Sequence, residues 1–213
     1  VHGSRGLGDV YKRQTQMKDH EKIPMIPIKS GKGVWLYDYD GVKYLDAISS
    51  WWVNLFGHSN AYINKSIKTQ LSQLEHVLLA GFTHEPAINL SERLIKLTPS
   101  KITKCFFTDN GSSSIDAAMK MSYHYWQNKK KKSKVKFIAL SNSYHGETLG
   151  SLSVSNIDLY KKTYESILKE TIIVDSPDSY NKSENVSEEK HAEIMFDKMY
   201  QTIKKNHHDV CAV

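Results

Sequence analysis

Hydrophobic residues follow two spacings along this chain, and each spacing predicts a different kind of element. Apolar residues that recur every three or four positions form one face of a helix in six segments. These predicted helices cover residues 61–74, 85–97, 115–126, 147–154, 187–206 and, with a weaker period, 157–168. In the third of them the apolar face consists of Ile115, Met119, Ser122 with Tyr123, and Trp126.

Short apolar runs predict the strands. Residues 104–108, 136–140, 171–174 and 209–213 are such runs, and beyond residue 100 they alternate with the helices. This alternation predicts a three-layer α/β domain with a mostly parallel sheet. Ahead of it, Asp40-Gly41 between two strand-like segments predicts a β-hairpin over residues 33–45, and the prolines of residues 23–28 predict an extended edge segment.

A turn rich in glycine and serine follows the predicted strand 104–108. Asp109-Asn110-Gly111 ends the strand, and the serines from Ser112 onwards suit the beginning of a helix. A strand, a tight turn and a helix N-terminus direct several backbone N–H groups at one point, which favours the binding of a phosphate. An ordinary helix cap has the same composition, so this turn alone leaves both interpretations open.

A second loop, residues 141–146, follows the predicted strand 136–140 and contains Tyr144 and His145. Ligands of parallel sheets bind at the carboxyl ends of the strands, so we expect this loop and the Gly111 turn to be neighbours. One loop would supply an anion site and the other an aromatic ring. Together they predict a site for a flat aromatic ligand that carries a phosphate.

Trp51 and Trp52 lie in a stretch that fits neither an amphipathic helix nor an alternating strand. Two adjacent indoles in a loop cannot easily both belong to a core. Either one is buried and the other lies on the surface, or the two form an aromatic wall for an apolar ligand. The second interpretation is favoured.

The composition, with 39% hydrophobic and 24% charged residues, is that of a globular protein. The longest apolar stretch, residues 77–82, is too short for a membrane span and no secretory signal is present, so we expect a cytoplasmic protein without membrane contact. Much of the net charge of +6 comes from lysines between residues 129 and 136. No aromatic residues interleave with them, which favours a solvated connector over a nucleic-acid surface. Cys105 and Cys211 lie in apolar runs and are predicted to be buried, reduced thiols.

Both ends of the sequence look unnatural. The chain starts with Val1, and residues 1–14 are predicted to be a foreign head derived from a vector or adapter. At the other end an apolar strand stops without its following loop. We therefore expect a fragment, with an N-terminal hairpin segment over residues 15–60 and an incomplete large domain over residues 61–213.

Five motifs stand in the order that they have in the class III pyridoxal-phosphate aminotransferases, and the chain resembles this family from Thr15 to Val213. The motifs are Ile48-Ser49-Ser50-Trp51-Trp52, Gly81-Phe82-Thr83-His84-Glu85-Pro86, Thr108-Asp109-Asn110-Gly111-Ser112, Ala117-Ala118-Met119-Lys120-Met121 and Tyr144-His145-Gly146-Glu147-Thr148. The resemblance implies the fold type I of PLP-dependent transferases, here as a truncated large domain plus the N-terminal segment of the small domain.

The resemblance also implies a cofactor, pyridoxal 5′-phosphate. Gly111 and Ser112 would hold its phosphate through backbone N–H groups and the serine hydroxyl, and Tyr144 would lie against its ring. A homodimer and small-molecule substrates are further implications. We expect no metal ion, nucleic acid or membrane among the partners.

Within the family, the paired tryptophans resemble the branch that acts in biotin biosynthesis. That branch transfers an amino group, with S-adenosylmethionine as the expected donor, to 8-amino-7-oxononanoate and so forms 7,8-diaminononanoate. Trp51 would line the substrate site with Trp52 as its support, and Tyr144 would also contact the substrate. An ornithine, 4-aminobutyrate or ω-amino-acid aminotransferase of the same class is the alternative.

The sequence departs from the family's pattern at both ends. Residues 11–14 replace a His-Pro-aromatic-Thr segment, so an aromatic substrate contact expected just before Thr15 is absent. The family's Schiff-base lysine, ring-nitrogen aspartate and carboxylate-binding arginine lie beyond Val213. No catalytic residue is therefore predicted within the chain, which we expect to be inactive alone, and Lys120 is expected on a helix surface. His145 and Glu147 lie in a motif without an assigned chemical step.

Two interpretations outside this family stay open. The chain could be a non-enzymatic α/β module that binds a phosphate-bearing ligand and touches RNA with its lysines. Alternatively, the isolated piece could fail to form a stable domain.

Overall fold

The structure is a computed structural model that describes residues 25–213. The predicted head, the departure before Thr15 and the first two residues of the predicted edge segment, Ile23 and Pro24, lie outside the described residues. The described residues divide into two compact units, with the boundary between Glu92 and Arg93. The functional division with boundaries after residues 14 and 60 stays a prediction.

A three-stranded antiparallel sheet in the order β1-β2-β3 belongs to the first unit. Its strands are β1 (Ile28–Lys32), β2 (Trp35–Asp38) and β3 (Lys43–Leu45). β2 and β3 confirm the predicted hairpin, in which Asp38 Oδ1 accepts hydrogen bonds from the backbone N–H groups of Asp40 and Val42. β1 was not predicted as far as Lys32, because its Lys-Ser-Gly-Lys sequence has no apolar alternation.

Two amphipathic helices, α1 (Ala61–Leu71) and α2 (Glu85–Leu97), confirm the predicted periods, although α1 ends three residues early. The apolar period of α2 predicts that Leu90, Leu94 and Leu97 point inward, and this prediction is wrong because all three are exposed. The apolar face of α1 is also mostly exposed. Ile67 is 52% exposed and Leu94 is 40% exposed. A period shows which face of a helix is apolar, but that face is buried only where another element covers it.

A three-stranded parallel sheet in the order β5-β4-β6 forms the centre of the second unit. The strands are β4 (Lys136–Leu140), β5 (Ile172–Val174) and β6 (Val210–Ala212). The helices are α3 (Gly111–Asn128), α4 (Leu149–Val154), α5 (Asp158–Lys161) with a 3-10 continuation (Lys162–Ile167), and α6 (Glu188–Asn206). No helix within residues 25–213 is both long and apolar enough to cross a bilayer.

Successive residues of β4 point to opposite faces of the sheet, as alternation along a strand requires. Phe137 and Ala139 join a cluster that α3 covers, whereas Ile138 joins a cluster that α6 covers. The covering side chains are Ile115, Met119 and Trp126 of α3, and Met199 and Ile203 of α6. The predicted three-layer arrangement with a parallel sheet is therefore confirmed within the second unit.

The predicted strand over residues 104–108 is wrong. These residues have no regular secondary structure, and Phe106 is 69% exposed. A strand needs a neighbouring backbone to complete its hydrogen bonds, and no strand of the described residues pairs with this run. The prediction of a buried Cys105 fails with it, since Cys105 is only partly buried, whereas Cys211 is buried in β6.

The lysine run connects α3 to β4. Lys129, Lys130, Lys131 and Lys132 are exposed, as expected for a solvated connector. Two later lysines hold the neighbouring strand. Lys134 Nζ donates to the carbonyl of Val210 at 3.1 Å, and Lys136 Nζ lies 3.2 Å from Asp209 Oδ2.

Candidate functional site

The N-terminus of α3 is the first part of the site. Asn110 caps the helix, since its side-chain oxygen accepts a hydrogen bond from the Ser113 N–H at 2.9 Å. The N–H groups of Gly111 and Ser112 have no acceptor within the helix, because the first turn of any helix lacks one. The space beside Gly111 is open, for an added Cβ would meet no atom within 4 Å. A small anion could therefore approach these two donors.

A carboxylate flanks the same turn. The hydroxyl of Ser113 is the main cause that lowers the pKa of Asp109, and the Asn110 amide adds to it by donating to Asp109 Oδ2 at 3.1 Å. Asp109 is thus ionised at neutral pH and occupied with these neighbours.

The loop after β4 rests on this turn. Gly146 has a φ of +122°, and a Cβ at this position would overlap the Ser112 hydroxyl and lie 2.8 Å from Ser112 Cβ. Next to it, the backbone N–H of Glu147 donates to Ser112 Oγ at 3.2 Å. The structure therefore brings the two predicted loops together, which the sequence argument required.

Tyr144 is linked to the Ser112 turn through Glu147. Its hydroxyl donates to Glu147 Oε1 at 3.0 Å, and its ring centroid lies 5.3 Å from that of Tyr160 with the planes tilted by 55°. Burial, and secondarily the hydrogen bond to Glu147, raise the pKa of the Tyr144 phenol. Half of the side chain is nevertheless exposed, so the ring has free surface for a contact.

Sequence reasoning missed the serines in and just after α4. Ser151 Oγ donates to the carbonyl of Ser112 at 2.8 Å, and Ser155 Oγ accepts a hydrogen bond from the His145 N–H at 2.9 Å. Both residues are buried. The available signal was three serines at every second position in an otherwise apolar segment, which is unusual for a helix that packs against a sheet.

An apolar cleft of about 700 Å³ opens beside β4 within the second unit. Met119 of α3 and Met195 of α6 line it, together with Ser143 and His145 from the loop after β4. The structure thus places His145 at an apolar surface.

The tryptophan pair lies in the first unit, in a left-handed helical turn, Ser49–Trp52. All four φ angles are positive, from +47° to +70°. For residues other than glycine this conformation costs roughly 1–2 kcal/mol each, so neighbouring contacts must hold the turn. Sequence patterns do not predict such a turn, because serine and tryptophan rarely adopt it.

Asp46 provides those contacts. Its Oδ1 accepts from the Ser50 N–H at 2.9 Å, and its Oδ2 accepts from the Ser50 hydroxyl at 2.6 Å. His58 Nε2 lies 2.7 Å from the same Oδ2. The bonds from Ser50, followed by the one from His58, lower the pKa of Asp46 to about 2, so this carboxylate stays ionised at neutral pH.

Both indoles are exposed, Trp51 by 69% and Trp52 by 74%. Their ring centroids lie 5.5 Å apart in an edge-to-face arrangement with the planes at 63°. The interpretation in which one of them is buried is therefore wrong. A wall for an apolar ligand stays the prediction.

Lys120 is exposed on α3, as expected. Within residues 25–213, no three His, Cys, Asp or Glu side chains are grouped so that they could hold a metal ion.

Comparison with known proteins gives one family. The family model described as aminotransferase class III matches residues 15–213. An adenosylmethionine-8-amino-7-oxononanoate aminotransferase from Helicobacter pylori is 51% identical over 173 residues, which make up 80% of this chain and 39% of the relative. A protein of the same name from Staphylococcus aureus is 44% identical over 178 residues, 82% of this chain and 39% of the relative. The chain thus spans about two fifths of the length of these curated relatives.

Solved structures give the same picture. The crystal structure of adenosylmethionine-8-amino-7-oxononanoate aminotransferase from Methanocaldococcus jannaschii has a TM-score of 0.81 and 31% identity, and the match covers 97% of this chain and 46% of that one. An ω-transaminase from Pseudomonas jessenii in complex with PMP has a TM-score of 0.82 and 29% identity, over 92% of this chain and 44% of that one.

Proposed function

Because the chain belongs to the class III aminotransferase family, we propose that the whole protein containing it aminates 8-amino-7-oxononanoate to 7,8-diaminononanoate in biotin biosynthesis. The expected family and α/β fold are confirmed. The observation that carries the proposal is the close contact between Gly146 and Ser112, which brings the N-terminus of α3, where an anion could bind, next to the loop that holds the Tyr144 ring. S-adenosylmethionine as the amino donor belongs to the same proposal and is supported by the name that the relatives carry.

The residues present fit pyridoxal 5′-phosphate. The open N–H groups of Gly111 and Ser112 at the positive end of α3 would bind its phosphate. The exposed surface of Tyr144 would contact its ring, in an offset or tilted geometry that aromatic pairs favour. When bound, the cofactor supplies an electron sink that allows an amino group to move between substrates, while the protein binds and orients it.

The tryptophan turn would serve the substrate. Trp51 would line the path of the long aliphatic chain, with Trp52 at its edge as support, and Tyr144 would add a contact near the ring. Each methylene of the substrate that is buried against an indole contributes roughly 0.8 kcal/mol. Asp46 and His58 hold the turn in its strained form and so keep both indoles in place.

The catalytic lysine, in this proposal, comes from the part of the whole protein outside this chain. The chain then contributes binding and orientation, and we expect it to be inactive alone. A homodimer and a cytoplasmic location of the whole protein are part of the same proposal. They are supported by the family membership and by the biosynthetic role that the relatives' name indicates.

Titration with pyridoxamine 5′-phosphate tests the cofactor site in the whole protein. This probe carries an amine in place of the aldehyde, so it does not react with surface lysines. We expect saturable binding that Ser112→Ala weakens about tenfold, since the variant loses a hydroxyl donor to the phosphate and the acceptor for the Glu147 N–H. Ser183→Ala, at an exposed serine of the polar loop before α6, serves as the matched control and should bind normally.

The opposite result has a clear form. Salt-sensitive RNA binding without any binding of pyridoxamine 5′-phosphate would support the non-enzymatic module instead.

A substitution at Trp51 separates the two aminotransferase interpretations. Trp51→Ala in the whole protein should raise the KM for 8-amino-7-oxononanoate far more than the KM for a short amine or keto acid, because only the long chain covers the indole. Phe56→Ala, at an equally exposed aromatic residue of the same loop, is the control. Equal losses for long and short substrates would favour an ω-amino-acid type, to which the Pseudomonas jessenii structure is related by name.

A further inference from the structure

Three serines in and just after α4 are among the most deeply buried polar residues of the second unit. Ser151 is 0% exposed, Ser153 is 2% exposed and Ser155 is 1% exposed. A buried hydroxyl is unfavourable unless it is hydrogen-bonded, and each of these donates to a backbone carbonyl. Apolar side chains would fill these positions with more hydrophobic gain, so the hydroxyls call for a role beyond packing.

Two of the three hydroxyls bind outside the helix at the candidate site. Ser151 Oγ donates to the carbonyl of Ser112 at 2.8 Å, in the turn with the open N–H groups. Ser155 Oγ donates to the carbonyl of Ser151 at 2.9 Å and accepts from the N–H of His145, the residue after Tyr144, also at 2.9 Å. A continuous path of hydrogen bonds therefore leads from Ser112 through α4 to the Tyr144 loop.

Ser153 lies between these two serines in the sequence but differs from them in its partners. Its hydroxyl donates to the carbonyl of Leu149 at 2.6 Å and accepts from the N–H of Lys169 at 3.0 Å. Neither partner belongs to the Ser112 turn or the Tyr144 loop. Ser153 is thus a control that the chain itself supplies, since it is about as buried as the other two and its hydroxyl, like that of Ser155, donates one hydrogen bond and accepts one.

We propose that Ser151 and Ser155 are positioning residues that hold the Ser112 turn and the Tyr144 loop at one separation. That separation sets the distance between a bound phosphate and the ring that stacks on Tyr144. The inference rests on the proposed cofactor site, and it adds the second layer of residues that keeps the two contacts in register.

α4 is attached both to the Tyr144 loop and to the Ser112 turn, so it can fix the distance between them. α4 begins at Leu149, separated by two residues from the Tyr144 loop, so a short connection joins one end of the loop to the helix. Lys161 Nζ donates to the carbonyl of Ser155 at 2.9 Å and so holds the far end of α4. The Ser112 turn already contacts the loop through Gly146 and the Glu147 N–H, and the Ser151 hydroxyl ties the same turn to the helix.

Hydrogen exchange in the cofactor-free whole protein tests the path of hydrogen bonds from Ser112 through α4 to the Tyr144 loop without any measurement of catalysis. Ser155→Ala removes the acceptor of the His145 N–H, and we expect that amide to exchange about tenfold faster. Ser153→Ala should leave the His145 amide unchanged and accelerate the Lys169 amide instead. An unchanged His145 amide in Ser155→Ala would overturn the proposal.

A binding comparison tests the positioning itself. Ser151→Ala and Ser155→Ala should weaken pyridoxamine 5′-phosphate about tenfold, while the affinity for inorganic phosphate stays within about twofold, since the N–H groups that bind phosphate remain. Ser153→Ala should lose similar thermal stability but keep the affinity for both probes. If all three variants bind the cofactor alike, the positioning role is wrong.

Two further outcomes keep the test decisive. If an alanine variant does not fold, Ser155→Cys, with a side chain of similar size and a weaker acceptor, should show an intermediate exchange rate at His145. If the unsubstituted protein binds neither probe, the proposed function fails. The exchange experiment then still tests whether the serines hold the two loops through these hydrogen bonds.

Discussion

A methyl group at Gly146 is the most direct perturbation of the candidate site. Gly146→Ala places a Cβ that overlaps the Ser112 hydroxyl and lies 2.8 Å from Ser112 Cβ and 3.0 Å from Ser112 Cα. The hydroxyl can rotate away, but the Cα belongs to the first turn of α3. The loop after β4 must therefore move off the turn by several tenths of an ångström.

Two costs add in this variant. A residue other than glycine at a φ of +122° carries strain of about 1–3 kcal/mol. Forced overpacking adds about 1–3 kcal/mol. The sum of about 2–6 kcal/mol is a large part of the stability of an ordinary domain, which is roughly 5–15 kcal/mol.

Two control variants separate the costs. Gly41→Ala has a φ of +82° and nothing within 4 Å of the new Cβ, so it reports the strain alone. Gly150→Ala has no positive φ and overlaps only the carboxylate end of Asp116, a flexible side chain, so it reports a yielding contact. The free energy of unfolding from urea titration of the whole protein and the affinity for pyridoxamine 5′-phosphate are the two measurements.

We expect Gly146→Ala to lose the most stability and to bind the cofactor analogue at least tenfold more weakly, because the ring contact leaves the phosphate turn. If Gly146→Ala loses no more free energy of unfolding than Gly41→Ala and its affinity is unchanged, the close contact between the two loops is refuted.

Three other changes test separate parts of the structure. Folding lowers the pKa of Asp46 from 3.8 to about 2. The stability that this carboxylate contributes is therefore present above about pH 4 and is lost as the pH falls towards 2. Asp46→Asn should remove this part of the acid unfolding transition, which tryptophan fluorescence can follow. Trp126→Phe removes the indole N–H that donates to the carbonyl of Cys211 at 2.7 Å and should lower the free energy of unfolding by about 1–3 kcal/mol, whereas an unchanged urea midpoint would show that water replaces the donor. Glu147→Gln should bring the raised pKa of Tyr144 back towards 10.0 in an ultraviolet titration, and an unchanged value would show that Glu147 does not contribute to the shift.

Elements with strong local signals were predictable from the sequence. The bounds of α2 and β4 agree with the predicted residues 85–97 and 136–140, because helical period, proline positions and apolar runs are properties of neighbouring residues. The parallel three-layer arrangement followed from their alternation. The motifs around Gly111 and Tyr144 are likewise each contiguous in the chain, and the structure brings their two loops together as predicted, while the cofactor site itself stays a prediction.

Other features depend on what lies opposite a residue in space, and only the tertiary structure decided them. Residues 104–108 have the composition of a strand but no partner among the described strands, and the left-handed turn of Trp51 exists because Asp46 and His58 hold it. Ser151 looks like a flaw in an apolar helix until its bond to Ser112, 39 positions earlier, is known. Local sequence determines which conformations are inexpensive, whereas distant contacts select among them and supply the free energy for the strained or buried ones.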